Sequence, residues 1–395
     1  MRALEGVRVL DLTRALAGPY CTMMLGDYGA DVIKIELPGA GDDTRHWGPP
    51  FIGEESAYFL SINRNKRSLT LNFKEPQAIE IFLKLVEKSD VVVENFTPGV
   101  MSRFGLDYPA VKQSNPGIVY CSISGFGQDG PYRSRPAYDQ IMQGISGLMS
   151  ITGEPDGEPQ KIGIAVTDIG AGMWAAFAIV TALFHREQLG EGQHIDISML
   201  DAQVAWLTYQ AAYYFATNQA PKRLGAAHPT LVPYQAFMCQ DGKYVNVAVG
   251  SERIWARFCQ AIHREDLGNN PEFAANGDRV DHRSTLVPLL QEYFLTRPSG
   301  EWVEALQAAN VPAGPINDLA DVFADSQVRY RQMLVEMPHP TLGSIKQTGV
   351  PIKFSDTPGE LEKPPPLLGE HNHQILKSLG YSDAEIEKLA ERAVI

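Results

Sequence analysis

Short apolar segments alternate with helix-like segments through the first half of the chain, and this alternation restricts the possible folds more than any other feature. Continuous apolar strands separated by amphipathic helices are typical of a parallel sheet covered by helices on both faces. We therefore predict an α/β fold, with functional residues on loops at the carboxyl ends of the strands. The sequence places strands at residues 7–13, 30–37, 68–73, 90–96 and 118–124, and a helix at 75–89.

The pattern changes near residue 225, where a hairpin is predicted at 233–250, followed by helices at 284–295 and 300–310. A chain of 395 residues is also too long for one ordinary hydrophobic core. We therefore expect a large parallel-sheet domain at 1–220 and a smaller α+β domain at 221–325. Residues 326–395 are expected to return to the large domain.

Composition and charge exclude several classes of protein. The formal net charge of −13 argues against a nucleic-acid-binding protein. The four cysteines are far apart, which favours a reducing compartment over a disulfide framework or a zinc site. The N-terminus has no apolar signal region, and the most apolar stretch, 173–184, is shorter than a membrane span. We expect a soluble cytoplasmic protein that binds neither nucleic acid nor membrane.

Three familiar catalytic or binding motifs are absent or incomplete. Gly125, Gly127 and Gly130 match the spacing of a dinucleotide-binding loop, but Pro131 follows at once and no helix can begin there. The sequence contains no GxSxG elbow of a serine hydrolase. His371 and His373 lack the spacing of helical metal ligands, so no metal site is predicted.

Asp168 is the carboxylate of greatest interest, because it precedes small residues and a nearly all-apolar helix. One interpretation is structural: Asp168 or Thr167 caps the helix. The other is catalytic, since a helix N-terminus stabilises negative charge and nearby amides could hold an oxyanion. The amides of residues 170–172 are candidates for those donors. The residues alone leave both interpretations open.

Basic residues cluster near predicted strand ends within an acidic chain. A solvated charge run is the simpler explanation. A patch of Lys and Arg would also suit a phosphorylated ligand. The residues concerned are Arg64, Lys66, Arg67, Lys74 and Arg103.

Several stretches together resemble the class III CoA-transferases, the formyl-CoA transferase family, over essentially the whole chain. They are RVLDLTRALAGP, GADVIKIELPGAGDDTR, NRNKRSLTLNFK, VVVENFTPG, AYDQ, AVTDIGAG, IDISMLDA and PPPLLGEH. Within that family, GDDTRHWGPPFIG, VPYQAF and GPIN are most similar to the succinyl-CoA:glutarate CoA-transferase type. The resemblance implies a Rossmann-like large domain, a small α+β domain and an interlocked homodimer.

The resemblance also implies the roles of individual residues. The catalytic aspartate of the family falls on Asp168. No tightly bound cofactor is implied, because the coenzyme A thioester is a substrate. The residues that resemble coenzyme A contacts are Ala15, Leu71, Lys74, Asn95, Phe96, Arg103 and Met199. Arg135 is a further candidate, because it lies one position before Pro136, where the formyl-CoA member of the family has a lysine.

The reaction that the resemblance implies moves coenzyme A from an acyl-CoA to a carboxylic acid. The expected donor is succinyl-CoA, and the expected acceptor is a dicarboxylate such as glutarate or itaconate. A cation is expected to hold the distal carboxylate. The candidates for substrate contact are Arg45, Arg64, Tyr138, Arg223 and His228.

Two alternatives stay open. In the α-methylacyl-CoA racemase branch a catalytic histidine stands where this chain has Tyr138. The ordinary tyrosine pKa of about 10 suits proton exchange poorly. The other alternative is a non-catalytic protein that binds coenzyme A. The glycine-rich loop that the formyl-CoA member of the family closes over its active site has no counterpart around 225–250.

Overall fold

The computed structural model describes residues 2–395, which divide into two compact units. The first contains the chain up to Leu148, Ile162–Ala216 and Ser326–Ile395, and the second contains Met149–Lys161 and Thr217–Asp325. The sequence placed residues 149–161 in the large domain, whereas the structure groups them with the second unit. The reason is local: Arg223 Nη2 donates to Gly157 O at 2.7 Å, and Gly225 N donates to Gly153 O at 2.9 Å.

The strands within residues 2–395 form one large sheet and three small ones. The large sheet has six strands, all parallel, in the order β5-β2-β1-β6-β7-β8. The strands are β1 Arg8–Asp11, β2 Asp31–Glu36, β3 Phe51–Ile52, β4 Glu55–Ser56, β5 Lys66–Thr70, β6 Val91–Glu94, β7 Val119–Ser124, β8 His194–Ser198, β9 Tyr234–Met238, β10 Tyr244–Ala248, β11 Ala313–Pro315, β12 Leu334–His339 and β13 Gly343–Thr348.

Helices account for most of the remaining regular structure, with short 3₁₀ turns at Asp43–His46 and Pro271–Phe273. They are α1 Ala17–Asp27, α2 Ala57–Ile62, α3 Pro76–Val86, α4 Val100–Arg103, α5 Tyr108–Ser114, α6 Asp139–Ile145, α7 Leu148–Ile151, α8 Val166–Leu189, α9 Met199–Ala205, α10 Thr208–Thr217, α11 Glu252–Ala261, α12 Glu265–Gly268, α13 Asn276–Asp281, α14 Arg283–Phe294, α15 Ser299–Ala308, α16 Leu319–Ala324, α17 Ser326–Tyr330, α18 Asn372–Ser378 and α19 Asp383–Glu391.

Helices cover both faces of the large sheet, as the continuous apolar strands predict. On one face α1 and α8 pack against the strands, and Ala17, Cys21, Ala171 and Ala175 share a buried cluster with strand valines. On the other face α3, α5, α18 and α19 form a second cluster with alternate strand residues. Because central strands of such a sheet are buried on both faces, they are rich in apolar residues, and the sequence predicts them for that reason.

The C-terminal segment completes the edge of the large sheet in the first unit. His371 N donates to Ser68 O at 3.0 Å, and Thr70 N donates to Asn372 Oδ1 at 2.9 Å. Asn72 N donates to Val394 O at 2.9 Å. These bonds use polar groups of β5 and the residues after it, so the last helices close the sheet on that side.

The second unit has its own core between a small antiparallel sheet and several helices. Its strands lie in the order β11-β10-β9, with β9 and β10 forming the predicted hairpin. Phe237 and Phe294 stack with ring centroids 4.7 Å apart, and Trp302 lies 5.0 Å from Phe294. This aromatic cluster gives the unit a hydrophobic centre of its own.

Helix α8 is longer than the sequence indicated. It has 24 residues, and its most apolar 18-residue window has a mean hydropathy of 1.6. By length and composition alone it could cross a membrane, so the expectation that no run was long enough is wrong. Half of that window is buried inside the protein, and core helices satisfy the same criteria.

Candidate active site

The order of the large sheet creates a crevice between β1 and β6. These strands are neighbours, but the chain continues from β1 to β2, toward one edge of the sheet, and from β6 to β7, toward the other edge. Open parallel sheets bind ligands at such a switch point, outside the carboxyl ends of the strands. Here two loops meet and hold each other, because Arg14 N donates to Asn95 Oδ1 at 2.9 Å and Asn95 Nδ2 donates to Arg14 O at 2.8 Å.

A groove of about 320 Å³ opens beside this junction. Three of the residues expected to contact coenzyme A line it: Leu71, Lys74 and Phe96. The Arg14 guanidinium lies 5.4 Å from the centroid of the Phe96 ring, which adds a cation to an aromatic wall. Aromatic and apolar side chains with a few cations suit a nucleotide-like ligand.

Ala15 lies in the loop between β1 and α1, with φ of 62°. A non-glycine residue in this left-handed region is strained, and such strain persists only where surrounding contacts fix the backbone. The contact here is a bond from Ala15 N to Asp42 Oδ1 at 3.3 Å. The same loop therefore contributes Arg14 to the groove and leads directly to the first turn of α1.

Asp168 lies in the first turn of α8, three residues after the N-cap Ala165. No side chain of the N-cap bonds the helix, and Asp168 does not cap it either. Asp139 takes that role: its Oδ1 accepts from Thr167 N at 2.9 Å and from Thr167 Oγ1 at 2.8 Å. The capping interpretation of Asp168 is therefore wrong, and its carboxyl is left for other contacts.

The surroundings of Asp168 shift its acidity strongly. Burial raises the pKa of the Asp168 carboxyl to about 7, and the negative charge of Asp139 adds to this rise. The backbone amide of Ala17, in the first turn of α1, opposes the rise by interacting with the carboxyl. A carboxylate that ionises near neutral pH in a partly desolvated position is a candidate for chemistry.

Tyr58 is electrostatically close to the same carboxyl. Burial, followed by the charges of Asp168, Asp139 and Asp42, raises the pKa of Tyr58 to about 12. Its ring packs edge-on against Trp47, with centroids 5.1 Å apart. The raised pKa keeps the phenol protonated at neutral and moderately alkaline pH.

The glycines after Asp168 serve packing, not anion binding. Gly170 and Gly172 lie inside α8, so their amides belong to the helix ladder and the expectation that they hold an oxyanion is wrong. A Cβ on Gly172 would lie 2.5 Å from Ala17 O, and one on Gly170 would lie 2.8 Å from the Trp206 ring. The missing side chain of Gly172 lets α1 and α8 approach closely, and that of Gly170 leaves room for the Trp206 ring.

The predicted basic patch is largely an internal ion-pair network. Arg64 is 2% exposed and bonds both carboxylate oxygens of Asp27, at 2.9 and 2.7 Å. Lys66 is fully buried and pairs with Asp11, while Arg67 pairs with Asp31. Only Lys74 and Arg103 of that group are exposed. The sequence could not show this, because the acidic partners are distant along the chain.

Arg45 and Arg64, two candidates for substrate contact, are therefore committed elsewhere. Arg45 bonds Glu36 through two nitrogens, each at 2.8 Å, and stacks over the Phe59 ring at 3.7 Å. Both guanidiniums are buried in pairs, so neither is free to hold a substrate carboxylate.

The remaining predicted residues lie in several places. Arg103 ends α4 beside the groove residues Met101 and Phe104, and Arg135 stacks over Tyr132 at 3.6 Å on the surface. Met199 is 6% exposed, with its side chain in the core beside α8 rather than in the groove. Tyr138 is exposed next to Asp139.

Two substrate candidates belong to the second unit. Arg223 bonds backbone carbonyls of Glu154 and Gly157, and the His228 ring lies 5.2 Å from that of Tyr234. Among residues 2–395, no group of three or more His, Cys, Asp or Glu side chains is arranged to hold a metal ion.

These features match a known family. CoA-transferase family III matches residues 4–372. A succinyl-CoA:glutarate CoA-transferase from Mus musculus is 46% identical over 396 residues, covering 100% of this chain and 91% of that protein. The chain belongs to CoA-transferase family III. A succinate–glutarate CoA-transferase from Agrobacterium fabrum is 43% identical over 382 residues, covering 95% of this chain and 95% of that protein.

The fold of this family III chain also matches that of a solved crystal structure. The crystal structure of a CAIB/BAIF family protein from Brucella suis shares it with a TM-score of 0.86 and 43% identity, covering 96% of this chain and 99% of that chain. The protein is therefore an enzyme that transfers CoA groups, built on a mixed α/β fold with a central parallel sheet.

Sequence reasoning missed Asp139, Tyr58 and the amide of Ala17 as neighbours of Asp168. The signal for Asp139 in the sequence is the motif AYDQ, in which it directly follows Tyr138. Nothing local marked Tyr58 or Ala17, because their proximity to Asp168 depends on how α1 and α2 pack.

Asp139→Asn is expected to move the acidic limb of kcat/KM to lower pH. The asparagine keeps an oxygen that can cap Thr167, but it removes the charge that raises the pKa of Asp168. The ionised Asp168 then persists to lower pH. The measurement is the pH profile of transfer. Asp201→Asn, in the first turn of α9, serves as the control. An acidic limb that stays in place or moves to higher pH in Asp139→Asn would contradict the claim that the Asp139 charge raises the pKa of Asp168.

Proposed function

We propose that this family III enzyme transfers coenzyme A from succinyl-CoA to a dicarboxylic acid such as glutarate or itaconate. The relatives named as succinyl-CoA:glutarate and succinate–glutarate transferases support this substrate pair. The observation that carries the chemistry is the carboxyl of Asp168, which does not cap α8 and instead interacts with the Ala17 amide in the first turn of α1.

Asp168 acts as the nucleophile in the proposed mechanism. Its carboxylate oxygen attacks the succinyl thioester carbonyl, the carbon–sulfur bond breaks, and coenzyme A leaves as a thiolate. The product is a mixed anhydride between Asp168 and succinate. The thiolate then attacks the Asp168 side-chain carbonyl and expels succinate, which leaves an aspartyl-CoA thioester.

The second half of the reaction reverses these steps with the acceptor. A carboxylate of the acceptor attacks the aspartyl thioester and expels the thiolate, forming a second anhydride. The thiolate attacks the acceptor acyl carbonyl, which yields the new acyl-CoA and regenerates the Asp168 carboxylate. Each attack on the Asp168 carbonyl develops an oxyanion, and the Ala17 amide, which already interacts with this carboxyl, is the proposed donor.

Coenzyme A is proposed to lie in the groove at the sheet switch point. Leu71, Phe96 and neighbouring aromatic residues suit the adenine, while the exposed Lys74 and Arg103 suit the phosphates. The loop of residues 13–17 runs from this groove to Asp168. That continuity supports one ligand occupying the groove with its thioester at the carboxyl.

The proposed assembly is an interlocked homodimer located in the cytoplasm. Large apolar side chains along one face of α8 are exposed in the single chain, including Phe177 at 66% and Phe184 at 68%. An exposed stripe of this size is typical of a surface covered by a partner. The four free, buried cysteines suit a reducing compartment.

An acceptor panel with succinyl-CoA tests the proposed substrates. Glutarate, itaconate and malate are compared with pentanoate, which has the length of glutarate but lacks the second carboxylate, and the acyl-CoA products are measured by mass spectrometry. We expect a dicarboxylate to exceed pentanoate in kcat/KM by roughly 100-fold, because a distal charge pair is lost. Equal rates for pentanoate and glutarate would contradict a dicarboxylate acceptor.

A further inference from the structure

Four charged side chains lie fully inside the first unit, beneath the loop that joins β1 to α1. Asp11, Lys34 and Lys66 are 0% exposed and Asp42 is 1% exposed. Lys34 Nζ lies 2.8 Å from Asp42 Oδ2, and Lys66 Nζ lies 2.9 Å from Asp11 Oδ2. None of the four can contact a ligand directly.

The two lysines also bind the backbone at each side of the loop. Lys34 Nζ donates to Thr13 O at 2.9 Å, before Ala15, and Lys66 Nζ donates to Pro19 O at 2.9 Å, in the first turn of α1. The carboxylates bind the loop as well. Asp11 Oδ1 accepts from Thr13 N at 2.9 Å, so the segment around Ala17 is held from both ends.

The energetics suggest why charges occupy this position. Buried ion pairs contribute little net stability compared with apolar replacements, because desolvation offsets their attraction. Here each ammonium satisfies a buried carbonyl that an apolar side chain would leave unpaired. The left-handed Ala15 backbone also needs fixed neighbours to persist. The network therefore specifies one loop geometry.

That geometry determines where the first amide of α1 lies. The N-cap Leu16 has no side-chain bond to the helix, so the first-turn amides are not consumed by a cap. Among them, the Ala17 amide interacts with the Asp168 carboxyl. A shift of this amide by about 1 Å would weaken the interaction without removing any group from the site.

We propose that Lys34 and Lys66, with their partners Asp42 and Asp11, are positioning residues that hold the Ala17 amide against Asp168 during transfer. The inference rests on the proposed nucleophilic role of Asp168. It adds a set of residues that act on the reaction through backbone geometry and not through contact with substrate.

The test is the double variant Lys34→Met/Asp42→Asn, which removes both charges while the new side-chain amide keeps an oxygen to accept from Thr44 N, now bonded at 2.9 Å. We expect kcat to fall roughly 10- to 100-fold, with the KM for succinyl-CoA within about threefold of the wild-type value. The acidic limb of kcat/KM should move to higher pH, because ionised Asp168 loses a donor. The causes that shift the pKa of this carboxyl are burial, Asp139 and Ala17, and neither lysine is among them.

The matched control is Arg64→Met/Asp27→Asn, at the opposite end of α1. This pair is also buried, with side chains 2% and 3% exposed. It should lose comparable stability and keep the wild-type pH limb. Lys66→Met/Asp11→Asn removes both charges of the second buried pair and gives the answer if the first double variant does not fold.

The outcomes separate this inference from the proposed function. If wild-type enzyme shows no Asp168-dependent transfer, the proposed function fails. If wild-type enzyme transfers normally but the Lys34 variant keeps its kcat and pH limb, or the control shifts the limb equally, the positioning role is overturned.

Discussion

Replacing Asp168 by alanine is expected to lower CoA transfer on the order of 10⁴-fold or more, because the proposed covalent path has no other nucleophile. The partly buried carboxyl bonds no element of the helix cap, so its loss should leave the fold intact. Initial rates with succinyl-CoA and a dicarboxylate measure the effect. Near-normal turnover in Asp168→Ala would exclude the anhydride mechanism.

Chemical trapping distinguishes loss of the nucleophile from a general defect. Wild-type enzyme incubated with succinyl-CoA and then hydroxylamine should carry a hydroxamate on Asp168, located by mass spectrometry. Asp168→Ala should bind CoA but form no adduct. A protein that only binds CoA would show no adduct in either form.

The thermal stability of an Asp168 variant is a second control, because the raised pKa of this carboxyl predicts how the variant's Tm compares with that of the wild type. The value moves from the ordinary 3.8 to about 7 on folding, so the folded state holds the proton more tightly than the unfolded state. Stability contributed by this group therefore falls as pH rises from about 4 to about 7. Asp168→Asn has no carboxyl to ionise and so avoids this loss of stability. Its Tm at pH 8 should therefore equal or exceed the wild-type value. A clearly lower Tm would mean that the lost activity reflects misfolding.

Gly172→Ala is expected to destabilise the protein by about 1–3 kcal/mol and to lower kcat roughly 100-fold. Helix propensity alone predicts the opposite sign, since alanine is favoured over glycine by about 1 kcal/mol inside a helix. The added Cβ would meet Ala17 O at 2.5 Å, so α1 must move away from α8. That movement carries the Ala17 amide away from Asp168.

Gly300→Ala is the matched control for this substitution. Gly300 also lies in a helix, α15, and a Cβ there would have no heavy atom within 4 Å. Thermal unfolding and initial rates of both variants give the comparison. If Gly172→Ala behaved like Gly300→Ala, the close approach of the two helices would have no role in the site.

The sequence predicted the large sheet well because its strands are buried on both faces. Five of its strands overlap predicted segments, although β5, at Lys66–Thr70, begins two residues before the predicted 68–73. The sixth, β8, was missed because it is an edge strand in which exposed and partly buried residues alternate. The other edge strand, β5, is buried because the C-terminal segment covers it, so its apolar residues could be read from the sequence.

Local patterns predicted the individual residues less well than the sheet. The motif around Asp168 indicated a chemical role, but the meaning of the adjacent glycines depends on α1, which lies far earlier in the sequence. The cluster Arg64, Lys66 and Arg67 resembled a phosphate-binding patch. Its actual partners, Asp27, Asp11 and Asp31, are brought to it only by the packing of β1, β2 and α1.

The bonds between the last residues and the edge at β5 set an order for biosynthesis. Ser68 and Asn72 are synthesised long before their partners, His371 and Val394, leave the ribosome. Until then that edge of the nascent sheet has unpaired backbone N–H and C=O groups, which can pair with other chains. The emerging polypeptide therefore remains able to aggregate until residues 371–394 have been made and have bonded that edge.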